Sequence, residues 1–328
     1  MVLERKYGVG IEAEGFILKV DSQEAVEEID GLPAVEWVMN EVKRKYKTEM
    51  DNVDGEEASI HLEVKTGVHK DEDAAVAEVM DLHGMVNEIL EPRGLRYVFQ
   101  PVVQKSFEFM AASTDPDHRS HALIKDWGRT NPGLLYSTAI AVLQVNDSRM
   151  FEGASDEQAL EIMLQLMNSY TAEVRAKFHG MNTDMKSHMD MTREEHLWAL
   201  LPTVKAKRFQ AAGFTPEEAF MPPHFETVID MQKWMLAHSI PGRITHSVQA
   251  MKNWLHKYRP EHNRWHKGAK SKNEHGFWVK SKRGKGGLWV VESRHTDCLA
   301  DNAEDMERLV KPVTAHWHET LGLRRAAA

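Results

Sequence analysis

The stretch Gly10-Ile11-Glu12-Ala13-Glu14-Gly15-Phe16-Ile17-Leu18 decides how the chain reads. Tyr7 to Val20 is predicted to be a strand, with Glu12 and Glu14 on one face and Ile11 and Ala13 on the other. Two carboxylates spaced this way stand about 7 Å apart at their Cα atoms. Like charges so close repel each other unless a cation or a base lies between them. On a solvated edge strand that repulsion is tolerable. Here the neighbours Tyr7, Val9, Ile11, Phe16, Ile17 and Leu18 mark the strand as buried. Buried paired carboxylates call for a metal or a cationic partner, and their hard oxygens suit Mg²⁺.

Working outward, a helix is expected from a cap at Asp21 or Ser22 through Ala25, Ile29, Val35, Val38 and Val42, with Gly31 and Pro33 as a break. Ser59 to Lys65 reads as a short strand ended by Thr66-Gly67. Asp71 to Leu90 has Ala75, Val79, Leu82, Val86 and Leu90 at helical spacing, with Pro92 and Gly94 beyond its end. Strands are expected over Leu95–Val103 and Tyr136–Val145, and a long helix over Asp156–Phe178, capped at Ser155. Phe277–Lys282 and Leu288–Arg294 form a predicted hairpin around Arg283-Gly284-Lys285-Gly286-Gly287. A last helix covers Asn302 to Leu321. The order lacks a regular βαβ rhythm, so the expected class is α+β, built on a largely antiparallel sheet.

Composition narrows the function. The 328 residues are 42% hydrophobic and 28% charged, an ordinary globular balance. No apolar run reaches the roughly 20 residues of a membrane span. Met-Val-Leu-Glu-Arg-Lys has no apolar core after its charges, so no secretory signal is expected. Cys298 is the only cysteine, which excludes an internal disulfide and a cysteine-rich zinc site. The expected setting is therefore cytoplasmic, and homo-oligomerisation stays open. Net charge is −9, yet residues 256–285 hold ten Lys and Arg against Glu261 and Glu274. Such a block is either a solvated face or a contact for phosphate or nucleic acid. Of the 18 histidines, only His262 and His266 share helical i, i+4 spacing, too little to argue for zinc. No phosphate-loop, dinucleotide or Gly-x-Ser-x-Gly fingerprint is present.

Two further acidic groups complete the set. Glu56 and Glu63 flank a turn and strand, with Thr66 after them. Glu292-Ser293-Arg294-His295-Thr296-Asp297 ends a Trp- and Val-rich strand, where Glu292 and Arg294 share a face. A self-neutralising surface pair is the plain interpretation of those two. The functional one makes Glu292 a metal ligand and Arg294 a clamp for anionic oxygens.

The ordered set resembles the carboxylate–amine ligase family related to bacterial glutamate–cysteine ligases, in the glutamine-synthetase-like superfamily. Gly10 to Phe16 looks like the family's Gly-x-Glu-x-Glu-Phe strand, with Gly15 inserted. Glu56, Glu63 and Thr66 before a helix, and Glu292, Arg294 and Asp297 near the carboxyl end, follow in the family's order. The resemblance is carried by residues 7–103, 134–150 and 288–310. Segment 180–270 matches nothing in the family and is expected to be a helical insertion in a single catalytic domain, 1–328. The chain departs from the pattern at the central strand: where the family presents histidine, Val142-Leu143-Gln144-Val145-Asn146-Asp147 offers two amides. An amide coordinates or hydrogen-bonds through oxygen but brings no titratable group.

The resemblance implies a glutamine-synthetase-like catalytic domain, a curved antiparallel sheet with helices on its outer face. It implies ATP with Mg²⁺, or Mn²⁺, held by Glu12, Glu14, Glu56, Glu63 and Glu292. Gln144, Asn146, Lys280 and Lys285 would contact the nucleotide, and Lys282, Arg283 and Arg294 would stabilise the transferring phosphoryl group. The implied reaction joins a small-molecule carboxylate to an amine through an acyl phosphate. Two other functions fit the residues. One is a guanidino or amino phosphotransferase on the same platform. The other is a catalytically silent relative that binds nucleic acid or an acidic partner through residues 256–285.

Overall fold

A computed structural model describes residues 8–46, 52–55, 60–100, 102–106, 136–140, 143–147, 149–169, 209–215, 218, 223–238, 271–272, 277–282, 288–295 and 300–322. In chain order the elements are β1 (Gly10–Lys19), β2 (Glu28–Ile29), β3 (Leu32–Pro33), α1 (Ala34–Tyr46), β4 (Val53–Gly55), β5 (His61–Lys65) and α2 (Glu72–Leu90). Then come β6 (Leu95–Val98), β7 (Val102–Ser106), β8 (Tyr136–Ile140), β9 (Leu143–Asp147) and α3 (Asp156–Ser169). The rest are α4 (Val228–His238), β10 (Ser271–Lys272), β11 (Phe277–Lys282), β12 (Leu288–His295) and α5 (Ala303–Leu321). The α+β class is as expected, and the strand pairs among the described residues are all antiparallel.

Among the described residues the main sheet is open and eight-stranded, in the order β10-β11-β12-β9-β1-β5-β4, with β6 also paired to β1. Strand β1 is its axis. Along one edge it pairs with β5, from Glu12 opposite Lys65 to Phe16 opposite His61. Along the other it takes two strands end to end: β9 on Gly10–Ala13 and β6 on Phe16–Lys19. The changeover falls at Gly15, where Tyr97 and Val98 crowd in. A Cβ there would lie 2.3 Å from the Val98 carbonyl oxygen and 2.8 Å from the Tyr97 ring. The glycine that interrupts the family-like motif is thus where β6 meets β1.

Alternation does the rest. Ile11, Ala13, Ile17, Leu62, Val64, Leu143, Val145 and Val291 are buried in one core with Val79, Leu82 and Val86 of α2 and Leu309, Val310 and Val313 of α5. Each such side chain contributes about 2 kcal/mol on burial. Helix α2 starts within a residue of the expected Asp71, which caps it by accepting from the Ala74 amide at 2.9 Å, and the expected Gly94 follows its end at φ 67°. Asn302 caps α5 by accepting from Asp305 at 3.0 Å, and Ser155 and Gln158 form a reciprocal capping box on α3. Buried Glu72 accepts from Thr314 Oγ at 2.7 Å, tying α2 to α5.

Three expectations need correction. No helix begins at residue 21: the chain turns and forms the β2–β3 hairpin, and α1 starts at Ala34. Asp30 and Gly31 both have positive φ (52° and 79°), the geometry of a tight two-residue hairpin loop, which overrides the helical spacing around them. Leu95–Val103 is two strands in different sheets, because the chain turns after β6, where the Gln100 N–H donates back to the Val98 carbonyl at 3.1 Å. Tyr136–Val145 is likewise divided into β8, paired with β7, and β9, paired with β1 and β12. Of the expected helix 156–178, the part after Ser169 lies outside the described residues, as does most of segment 180–270. Among the described residues, no helix is long and apolar enough to cross a membrane.

Gly15→Ala should cost about 3 kcal/mol through overpacking against backbone that cannot yield. Urea unfolding would show this as a lower midpoint at unchanged slope; wild-type stability in this variant would contradict the β1–β6 crossing.

Candidate functional site

The registers bring most of the predicted residues to one face of the sheet. Glu12 stands opposite Gln144 on β9 and Lys65 on β5; Glu14 stands opposite Glu63; Gly10 stands opposite Asn146. One strand further, Glu292 is paired with Asn146 and Arg294 with Gln144. Directly paired residues of antiparallel strands share a face. The polar row therefore runs from β12 across β9 and β1 to β5, and on to Asp54 of β4 opposite Glu63. Lys280 and Lys282 lie on β11, opposite Val290 and Leu288. Glu56, Arg283 and Lys285 fall outside the described residues.

Glu14 and Glu63 are buried, at 0% and 2% exposure, which makes their charge the dominant fact of the face. The Gln144 amide spans them, with Nε2 3.5 Å from Glu14 Oε1 and 3.5 Å from Glu63 Oε1. Those are long contacts, weak in themselves. Stronger compensation comes from β5. Lys65 Nζ lies 2.6 Å from Glu63 Oε2 and 3.1 Å from Asp54 Oδ2. Burial works to lower the Lys65 pKa, but the charges and hydrogen bonds of Glu63 and Asp54 outweigh it and hold the ammonium above the ordinary lysine range. His61, stacked on Phe16, has Nε2 3.1 Å from Glu14 Oε2, but off the line of a hydrogen bond.

The Glu12 end is built differently. Asn146 Nδ2 donates to Glu12 Oε1 at 2.9 Å, which turns Asn146 Oδ1 away. That oxygen is buried and has no hydrogen-bond partner among the described residues. A buried acceptor without a donor costs about 1–3 kcal/mol. Beside a carboxylate, and with Glu292 at the paired position on β12, a hard oxygen of this kind fits a divalent cation. Among the described residues no three His, Cys, Asp or Glu side chains converge on one point. A cation at this end would therefore draw on the amide oxygen as well as on carboxylates.

The frame around these groups is held by a chain of hydrogen bonds. Asn87 of α2 clasps the backbone of Tyr97, accepting from its N–H at 2.7 Å and donating to its carbonyl at 3.1 Å. Tyr97 Oη in turn donates toward the carbonyls of Ala13 (3.2 Å) and Leu62 (3.1 Å), the residues just before Glu14 and Glu63. At the strand ends, Ile11 and Thr66 exchange two hydrogen bonds, so the Thr66 that follows Glu63 by three closes β1 onto the end of β5. Asp147 ends β9, accepting from the amides of Gly8 (3.2 Å) and Met150 (3.1 Å). Burial outweighs these bonds and pushes its pKa up to about 7.

Lys65, His61 and Asp54 are the members of the face that the motif reading passed over. The signal was available for two of them: His61, Glu63 and Lys65 alternate on one strand and so share a face.

No protein-family model matches the chain, and no curated protein matches its sequence. Among solved structures it is similar to glutamate–cysteine ligase from Francisella tularensis in complex with AMP. That match has 12% identity and a TM-score of 0.35, covering 53% of this chain and 34% of that one. It is also similar to a bifunctional glutathione synthetase from Pasteurella multocida, at 11% identity and a TM-score of 0.42. There 97% of this chain and 41% of that one are covered. The chain thus spans well under half the length of either structure.

Asp147 predicts a pH dependence whose sign can be worked out. Its folded pKa of about 7 lies above the ordinary 3.8, so the folded state holds the proton more tightly. Stability should fall as pH rises from about 4 to about 7, by at most about 4 kcal/mol. In metal-free buffer, Asp147→Asn should flatten the urea midpoint between pH 5 and 8, whatever its absolute stability. An unaltered slope would contradict the assignment.

Proposed function

We propose that the chain is an ATP- and Mg²⁺-dependent carboxylate–amine ligase with a glutamine-synthetase-like catalytic domain. The observation that carries this is the row of Glu12, Glu14, Gln144 and Asn146 on one sheet face, with the orphaned Asn146 oxygen beside Glu12. Glu292 and Arg294 at the adjoining register positions, and the basic strand β11 beyond them, support the same reading.

In this proposal Glu12, Glu14 and Glu292 hold the cation together with Asn146 Oδ1, while Glu56 and Glu63 complete the acidic lining. Bound Mg²⁺ supplies charge neutralisation to the triphosphate. Arg294, Lys282 and Arg283 face the charge that spreads over the transferring phosphoryl oxygens, and Gln144, Lys280 and Lys285 position the nucleotide. A substrate carboxylate attacks the γ-phosphorus and ADP leaves. An amine then attacks the acyl carbon, expelling phosphate and giving the amide. The buried frame beneath Glu14 and Glu63 lets this face stay fixed through both steps, since positioning and electrostatics carry phosphoryl transfer.

Release of ADP and phosphate should be measured across a panel of carboxylates and amines with Mg²⁺. One pairing should release both, stoichiometric with a new amide, and Glu12→Gln should lower kcat by about 100-fold or more. A phosphorylated acceptor with no free phosphate would instead show a phosphotransferase. Salt-sensitive nucleic-acid binding without ATP turnover would show a silent relative.

A further inference from the structure

Glu14 and Glu63 oppose each other across β1 and β5, both buried, and such a pair needs positive charge nearby. At Glu63 the chain supplies a full charge of its own. Lys65 lies two residues along β5, on the same face, with its ammonium 2.6 Å from Glu63 Oε2 and 3.1 Å from Asp54 Oδ2. Asp54 is itself paired with Glu63 across β4 and β5, so the ammonium bridges two acids on neighbouring strands. The Glu12 end offers the reverse: an amide oxygen turned away from its carboxylate neighbour, with no donor among the described residues. One end of the face holds an ammonium between two acids, while the other presents an amide oxygen that meets no donor among the described residues.

We infer that Lys65 is a resident cation that takes the place of a divalent ion at Glu63, so that this face binds its metal at the Glu12–Asn146 end. The inference rests on the metal–nucleotide reading of the face. It deepens that reading by assigning each half of the acidic row its own counter-charge. Lysine suits the part. Its ammonium is a compact point charge on a long stem, able to reach from the half-buried end of β5 to both acids. A monovalent ammonium in place of a divalent ion leaves Glu63 as a fixed anion facing Gln144. Residue 65 then sets how many divalent ions the face accepts.

Titration of the full chain with Mn²⁺, followed by the electron paramagnetic resonance of the free ion, tests this directly. Lys65→Met should bind about one more equivalent of Mn²⁺ than wild type, because Glu63 and Asp54 lose their ammonium. Lys65→Arg should keep the wild-type count. Glu63→Gln should also keep it, a result that does not depend on the methionine variant folding. An unchanged count in folded Lys65→Met, or an equivalent lost in Glu63→Gln, would overturn the role of Lys65. Wild type that binds no Mn²⁺ while Lys65→Met binds one would overturn the metal–nucleotide reading and sustain the role of Lys65. Binding by neither protein would overturn both.

Discussion

Two buried carboxylates facing each other across adjacent strands set the conditions for everything around them. Glu14 and Glu63 are register partners with almost no exposure, and their repulsion would be severe in a low-dielectric interior. The surrounding structure meets it with an amide from β9, an ammonium and an imidazole from β5, and a tyrosine whose hydroxyl holds the backbone on both sides. A fold that only needed a core would place apolar residues here. Persistence of such a pair in a sheet otherwise packed on Ile, Val and Leu points to work done on this face.

The polar face depends on the opposite one. Helix α2 lends its apolar stripe to the core and its Asn87 to the backbone of Tyr97. Tyr97 then reaches the carbonyls preceding the two acids, and it can do so only because Gly15 leaves room for β6 against β1. Packing, strand register and carboxylate placement are thus one connected arrangement. A change at Gly15 is felt at Glu14 through backbone, with no contact to any substrate needed.

Much of this was legible from residue spacing, and the rest was not, for physical reasons. The two-residue alternation of β1 correctly separated Glu12 and Glu14 from Ile11 and Ala13, and the helix starts expected at Asp71, Asp156 and Asn302 fall within a residue of those found. Spacing could not show that β9 and β6 share one edge of β1, because pairing partners far apart in sequence leave no local trace. Helical spacing misled at residues 21–33, where the positive φ of Asp30 and Gly31 selected a hairpin. A lysine two residues from a glutamate reads as a surface pair until the register sets it against a buried carboxylate.

The central claim is that the Glu12–Asn146 end of this face holds the metal that serves ATP. Crystals grown with Mn²⁺ and a non-hydrolysable ATP analogue would test it through the anomalous signal of manganese. The account predicts a manganese peak at the Glu12–Asn146 end of the face, with the triphosphate extending toward β11 and β12 and Lys65 still on Glu63. Manganese and nucleotide bound away from this face, or metal seated between Glu63 and Asp54 with Lys65 displaced, would contradict it.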